Sequence, residues 1–135
     1  VRAVLDALDD ASKLVDVDSH RVLLAGSGNG AAAAAGVLRQ APQRFCALAL
    51  IAPREQDVGD LSAARGTILL LCGQADDRIP PERARLWALK LRTAGLDARE
   101  VFLPSQDRFL FFTAPNEMVA ALTDWVRLTN DPGQG

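Results

Sequence analysis

Three shortages narrow what this 135-residue chain can do. It has little charge bias: 15 Lys and Arg stand against 17 Asp and Glu, for a net charge of -2, so no long-range field draws phosphate backbones or acidic membranes to it. Nucleic acid and membrane surfaces are not expected partners. It has no long apolar run, since the stretches at 47–52 and 68–72 fall far short of the roughly 20 residues that span a bilayer. It also has few cysteines and histidines, two and one. The two cysteines, Cys46 and Cys72, both lie inside apolar runs, where small buried thiols are expected rather than a disulfide or a metal site; with no leader segment in the sequence, a cytoplasmic, reducing compartment is expected. No cofactor and no metal are implied.

What is present is a core-forming composition, 49% hydrophobic, arranged with clear periodicity. Val1, Val4, Leu5, Leu8, Ala11 and Val15 recur at helical spacing, with Asp6, Asp9, Asp10 and Lys13 between them, and predict an opening amphipathic helix. Residues 21–25 (RVLLA) read as a strand closed by Gly26, and 30–40 (GAAAAAGVLRQ) as a helix stopped by Pro42. Residues 46–52 (CALALIA) and 67–72 (TILLLC) are continuously apolar, the pattern of strands covered on both faces in a parallel sheet. The polar stretch 57–65 predicts a short second crossover without a full helix. Pro80 and Pro81 then open a helix carried by Ala84, Leu86, Trp87, Leu89, Lys90 and Leu91 and stopped at Gly95. Residues 99–103 read as a strand, 104–114 as a loop, and 115–128 as a last helix bearing Met118, Val119, Leu122, Trp125 and Val126.

The expected fold is therefore α/β, a parallel sheet of about four strands flanked by helices, in one domain over residues 1–128 with a frayed tail at 129–135. Trp87 and Trp125, at helical spacing with leucine and valine, are expected in the core. The strand at 21–25 would be an apolar edge, and such an edge calls for another chain or a further, N-terminal half of the same sheet to cover it. The start at Val1 rather than Met fits the expectation that the chain is a piece of something longer.

Three segments follow strand ends, where open α/β sheets place their chemistry. Gly26-Ser27-Gly28-Asn29-Gly30 can be read as G-x-G-x-x-A, through Gly26, Gly28 and Ala31, which is a dinucleotide-binding turn; no acidic residue stands about 20 positions on to hold a ribose. It can equally be read as G-x-S-x-G with glycine at the nucleophile position. The second segment, Gly73-Gln74-Ala75-Asp76-Asp77-Arg78-Ile79-Pro80, follows an apolar strand and leads into a helix that ends in glycine. It resembles the acid loop of small α/β-hydrolases of the phospholipase/carboxylesterase, dienelactone hydrolase and prolyl-oligopeptidase-like branches. Val17-Asp18-Ser19-His20-Arg21-Val22 is similar to the lead into their elbow strand, and the resemblance runs in order from about Leu5 to Leu128.

The resemblance implies the second half of an α/β-hydrolase sheet with a degenerate triad. Gly28 falls at the nucleophile position, Asp76 at the acid position and Arg108, in the third segment Pro104-Ser105-Gln106-Asp107-Arg108-Phe109, at the histidine position; the backbone N–H of Asn29 falls at the oxyanion position. A glycine hydrogen cannot attack a carbonyl, and a permanently charged guanidinium cannot act as base at neutral pH. Glycine does suit the strained backbone of such an elbow. His20, the sole histidine, precedes the elbow strand and so belongs to the opposite end of the sheet. The resemblance thus implies a catalytically inactive, hydrolase-like module with a structural or ligand- or protein-binding role. The alternatives are an esterase or thioesterase completed by unusual or partner-supplied residues, and a Rossmann-like nucleotide-binding domain. An ion pair between Asp76 and Arg108 is expected in place of the acid–histidine hydrogen bond. Ser27, Asp77, Ser105 and Asp107 read as turn or loop residues, and Phe109, Leu110, Phe111 and Phe112 as an apolar flap at the mouth or a patch for a partner.

Overall fold

The computed structural model describes residues 2–15, 22–75, 80–103 and 115–130. Helix α1 (Arg2–Leu14) leads to strand β1 (Leu23–Ser27), helix α2 (Asn29–Gln40), a 3-10 turn (Pro42–Arg44) and strand β2 (Ala47–Ile51). A single turn of helix, α3 (Glu55–Val58), precedes strand β3 (Ile68–Gly73), helix α4 (Pro81–Thr93), strand β4 (Ala98–Leu103) and helix α5 (Pro115–Asn130). The four strands are parallel and lie in sequence order, β1-β2-β3-β4. Each crossover therefore moves one strand further in the same direction. A dinucleotide-binding sheet instead sends its fourth strand to the far side of the first, so the strand order does not match the Rossmann-like alternative.

The continuous apolar runs have the cause expected of them. Every residue of β2 and β3 is buried, because both faces of these strands are covered. Leu48, Leu50, Ile68 and Leu70 point to the layer built from α1, α2 and α4, where they meet Ala35, Leu38, Trp87 and Ala88. Ala47, Ala49, Ile51, Leu69 and Leu71 point the other way, to Met118 and Trp125 of α5. Each large side chain so buried stabilises the fold by about 1.5–3 kcal/mol. Both tryptophans are core residues, 4% exposed.

β1 is covered less completely. Leu24 is buried against the helical layer, but Ala25 on the opposite face is exposed, and among the described residues β2 is the strand's sole pairing partner. The expected apolar edge is thus present. The strand is offset from the expectation, however: it includes Gly26 and Ser27, paired with Leu50 and Ile51, instead of closing at Gly26. A glycine continues a strand when its neighbour's register demands it, and β2 supplies that register.

Helix α4 ends as its glycine predicts. Gly95 takes φ +93°, and the N–H groups of Gly95 and Leu96 donate to the carbonyls of Arg92 and Leu91, closing a Schellman motif. Its apolar series is split by the packing: Ala84, Trp87 and Ala88 are buried, whereas Leu86 and Leu89 are more than half exposed. Val119 of α5 is exposed as well, and α5 continues to Asn130, past the expected end at 128. Cys72 is buried, but Cys46, just outside β2, is only half-buried, which corrects the expectation of two buried thiols. Among the described residues no helix is long and apolar enough to cross a membrane.

Candidate functional site

The turn between β1 and α2 sits at the carboxyl end of the sheet, and its shape is set by two glycines with different duties. Gly28 has φ +58° and ψ -121°, a conformation nearly closed to residues with a side chain. Its N–H donates to the Ile51 carbonyl at 2.9 Å, and its own carbonyl accepts from Ala31 N–H at 3.0 Å, so the bend is fastened to β2 on one side and to α2 on the other. A Cβ built on Gly28 would meet no atom within 4 Å. The place where a side chain at this position would project is therefore open space. Gly26 has the contrary constraint: a Cβ there would overlap the carbonyl of Gly30 and come within 2.9 Å of the Ala34 Cβ. Small residues on both sides let α2 approach β1 closely, which explains the alanine run and the burial of Ala31, Ala34 and Ala35. Gly30 has no such duty, for nothing lies within 4 Å of its Cβ position.

The loops after the next two strands continue the same pattern. The Ala52 N–H donates to the Leu71 carbonyl at 2.8 Å, and Gln74 N–H to the Leu103 carbonyl at 3.0 Å. Each loop amide along this edge thus ties its strand's exit to the following strand. Ala52 does so with φ +50°, the one positive-φ residue other than glycine among the described residues, immediately before buried Pro53. Sequence reading missed Ala52, since alanine carries no signature of a left-handed backbone. Farther along, Arg39 of α2 donates to the carbonyls of Val58 and Asp60 at 2.7 and 3.0 Å and pins α3. Asp60 in turn accepts from the Ser62 N–H and hydroxyl, which hold its carboxyl below the ordinary value of 3.8.

Gly28, Ser27 and Asn29 are thus brought together at one strand exit, with Asn29 opening α2. Asp76, Asp77, Arg108, Ser105, Asp107, the apolar run 109–112 and His20 lie outside the described residues, and so does the expected Asp76–Arg108 ion pair. Between α3 and α4 an open groove of about 720 Å³ is lined by Glu55, Gln56, Gly59, Arg83 and Trp87, with Lys90 and Glu55 paired at 2.9 Å near it.

A four-stranded parallel sheet in sequential order with helices on both faces defines an α/β fold, and α/β-hydrolases of known structure share it. Comparison with solved structures agrees. The chain superposes on an alpha/beta hydrolase enzyme from the metagenome of sediments of the Mar Chica lagoon, Morocco, with TM-score 0.70 and 15% identity, covering 96% of this chain and 69% of that one. It superposes on the Pyrococcus horikoshii acylaminoacyl peptidase with TM-score 0.68 and 12% identity over 93% of this chain and 26% of that one. On a predicted CIB-like hydrolase from Thermoplasma acidophilum the values are 0.65 and 19%, over 81% and 52%. The chain therefore spans about half of the Thermoplasma protein and a quarter of the Pyrococcus peptidase, and corresponds in extent to part of their fold. No protein-family model matches the chain, and no curated protein matches it by sequence.

Proposed function

We propose that this chain is a catalytically silent α/β-hydrolase-like domain with a structural role or a role in binding a ligand or a protein. The observation that carries the reading is Gly28. It occupies the bend between β1 and α2 at φ +58° with open space beside its Cα, where the hydrolase resemblance puts the attacking oxygen. A hydrogen there leaves acyl transfer without a first step. On the same resemblance Asp76 keeps the acid position and Arg108 replaces the base, and its guanidinium stays protonated at neutral pH. The Asn29 N–H, at the start of α2, takes the oxyanion position, which acts only on a tetrahedral intermediate that nothing here forms.

Incubation with a fluorophosphonate probe and with p-nitrophenyl acetate and butyrate tests the proposal. The expected result is neither covalent labelling nor turnover above buffer. Saturable labelling that the Ser27→Ala variant abolishes would overturn it and favour a hydrolase using a displaced serine.

A further inference from the structure

On the sheet face covered by α5, away from the Gly28 turn, a cavity of about 290 Å³ lies between β3, β4 and α5, close to the lower limit of ligand-pocket volumes. Leu69 of β3 pairs in register with Arg99 of β4, and Val101, two residues on, shares that face. Ala121, Asp124 and Trp125, three and four residues apart, share one stripe of α5. These six residues line the cavity. Four of them are apolar and follow the pattern of covered elements. Arg99 and Asp124 break it, since the inward face of a strand and the inward stripe of a helix ordinarily carry hydrophobic side chains. Nor do the two charges pair with each other: among the described residues Arg99 meets Asp97 at 3.4 Å in an exposed contact, and Asp124 has no ion-pair partner. One cation and one anion thus border a common apolar cavity without neutralising each other.

We infer that this cavity binds a small zwitterion with a hydrocarbon side chain, an aliphatic α-amino acid, with its carboxylate at Arg99, its ammonium at Asp124 and its side chain against Leu69, Val101 and Ala121. The guanidinium fork matches a carboxylate, and the Asp124 carboxylate, which only accepts, matches an ammonium, which only donates. Water can serve the two charged heads, but it covers the four apolar walls unfavourably, and a hydrocarbon side chain displaces it from them. A ligand with net charge of either sign meets a like charge in the lining, whereas a zwitterion meets an opposite charge at each end. The site is independent of the strand-exit turn. It stands whether or not the chain is silent as a hydrolase.

The test titrates L-leucine, its analogue without the ammonium (4-methylpentanoate) and its analogue without the carboxylate (3-methylbutylamine) into the 15N-labelled chain, with the backbone amides of Val101, Ala121 and Trp125 as reporters. L-leucine should shift them saturably and bind about fivefold more tightly than either analogue, the size of one exposed charged contact. L-alanine, which lacks the hydrocarbon body, should bind at least tenfold more weakly than L-leucine. Asp124→Asn should weaken leucine and the amine by about fivefold and leave the acid unchanged; Arg99→Gln should weaken leucine and the acid and leave the amine unchanged. Both substitutions fall at exposed side chains, so the variants keep the wild-type spectrum elsewhere. No saturable shift with L-leucine, equal affinities for leucine and its two analogues, or variants that bind all three as the wild type does would each overturn the inference.

Discussion

The amide of Gly28 donates to the carbonyl of Ile51 at 2.9 Å, so the bend between β1 and α2 is fixed to the strand beside it and not left to the loop. The bend is kept although the position holds no side chain. Its geometry is therefore a property of sheet and helix packing, and substitutions at the three glycines should separate backbone strain from steric contact.

Gly28→Ala should lower stability by about 1–3 kcal/mol through its positive φ alone, since its Cβ finds open space. Gly26→Ala should cost at least as much, about 1–3 kcal/mol or more, for a different reason: the new methyl must push α2 off β1. Gly30→Ala, with neither constraint, should be neutral or raise stability by up to about 1 kcal/mol as a better helix former. Urea denaturation of the three variants gives the order. Equal losses at positions 26 and 30 would contradict it.

Ala52→Gly is expected to stabilise the chain. The left-handed backbone at φ +50° costs alanine about 1–2 kcal/mol, and the extra freedom that glycine brings to the unfolded chain takes back about half of that. A net gain of about 0.5–1 kcal/mol should appear as a raised midpoint in thermal melting; an unchanged or lowered midpoint would show that the neighbouring Pro53 compensates.

Leu70→Ala and Leu86→Ser contrast two leucines that look alike in sequence. Leu70 is fully buried in the sheet, and its truncation should cost about 2–5 kcal/mol. Leu86, 61% exposed on α4, should change stability by no more than about 0.5 kcal/mol. Chemical denaturation of both decides the matter.

Asp60 sets an acid-side dependence. Its carboxyl is held below 3.8, first by the Ser62 N–H, then by the Ser62 hydroxyl, with a smaller contribution from Arg39. A folded-state value below the unfolded one stabilises the fold above the unfolded pKa and loses that contribution as pH falls through the folded one. Asp60→Asn should therefore flatten the fall of the melting midpoint below about pH 4 while leaving its slope between pH 6 and 8 unchanged. A parallel acid limb in wild type and variant would exclude the role.

Local pattern made much of this chain legible, and the exceptions share one cause. The runs around Leu48 and Leu70 could be read as central strands because burial on both faces leaves no polar alternation, and Gly95 as a helix stop because its left-handed cap favours glycine. Strand ends were less legible: β1 runs on through Gly26 and Ser27 because β2 pairs with them. For the candidate site, the identity of residue 28 and its turn were readable, whereas the positive φ of Ala52 was not, since it follows from how β2 leaves the sheet toward Pro53.

Composition and periodicity by themselves determined an α/β chain with two fully covered strands, a glycine-rich turn after the first strand and a single histidine, because these depend only on which residues are present and how they recur. Tertiary structure alone decided that the strands stand in sequential order, that Leu86 and Leu89 face outward while Trp87 faces in, and that the Trp125 indole N–H is buried without a hydrogen-bond partner among the described residues. Each of these depends on which element packs against which, and contacts between residues distant in the chain leave no mark on the local spacing of either.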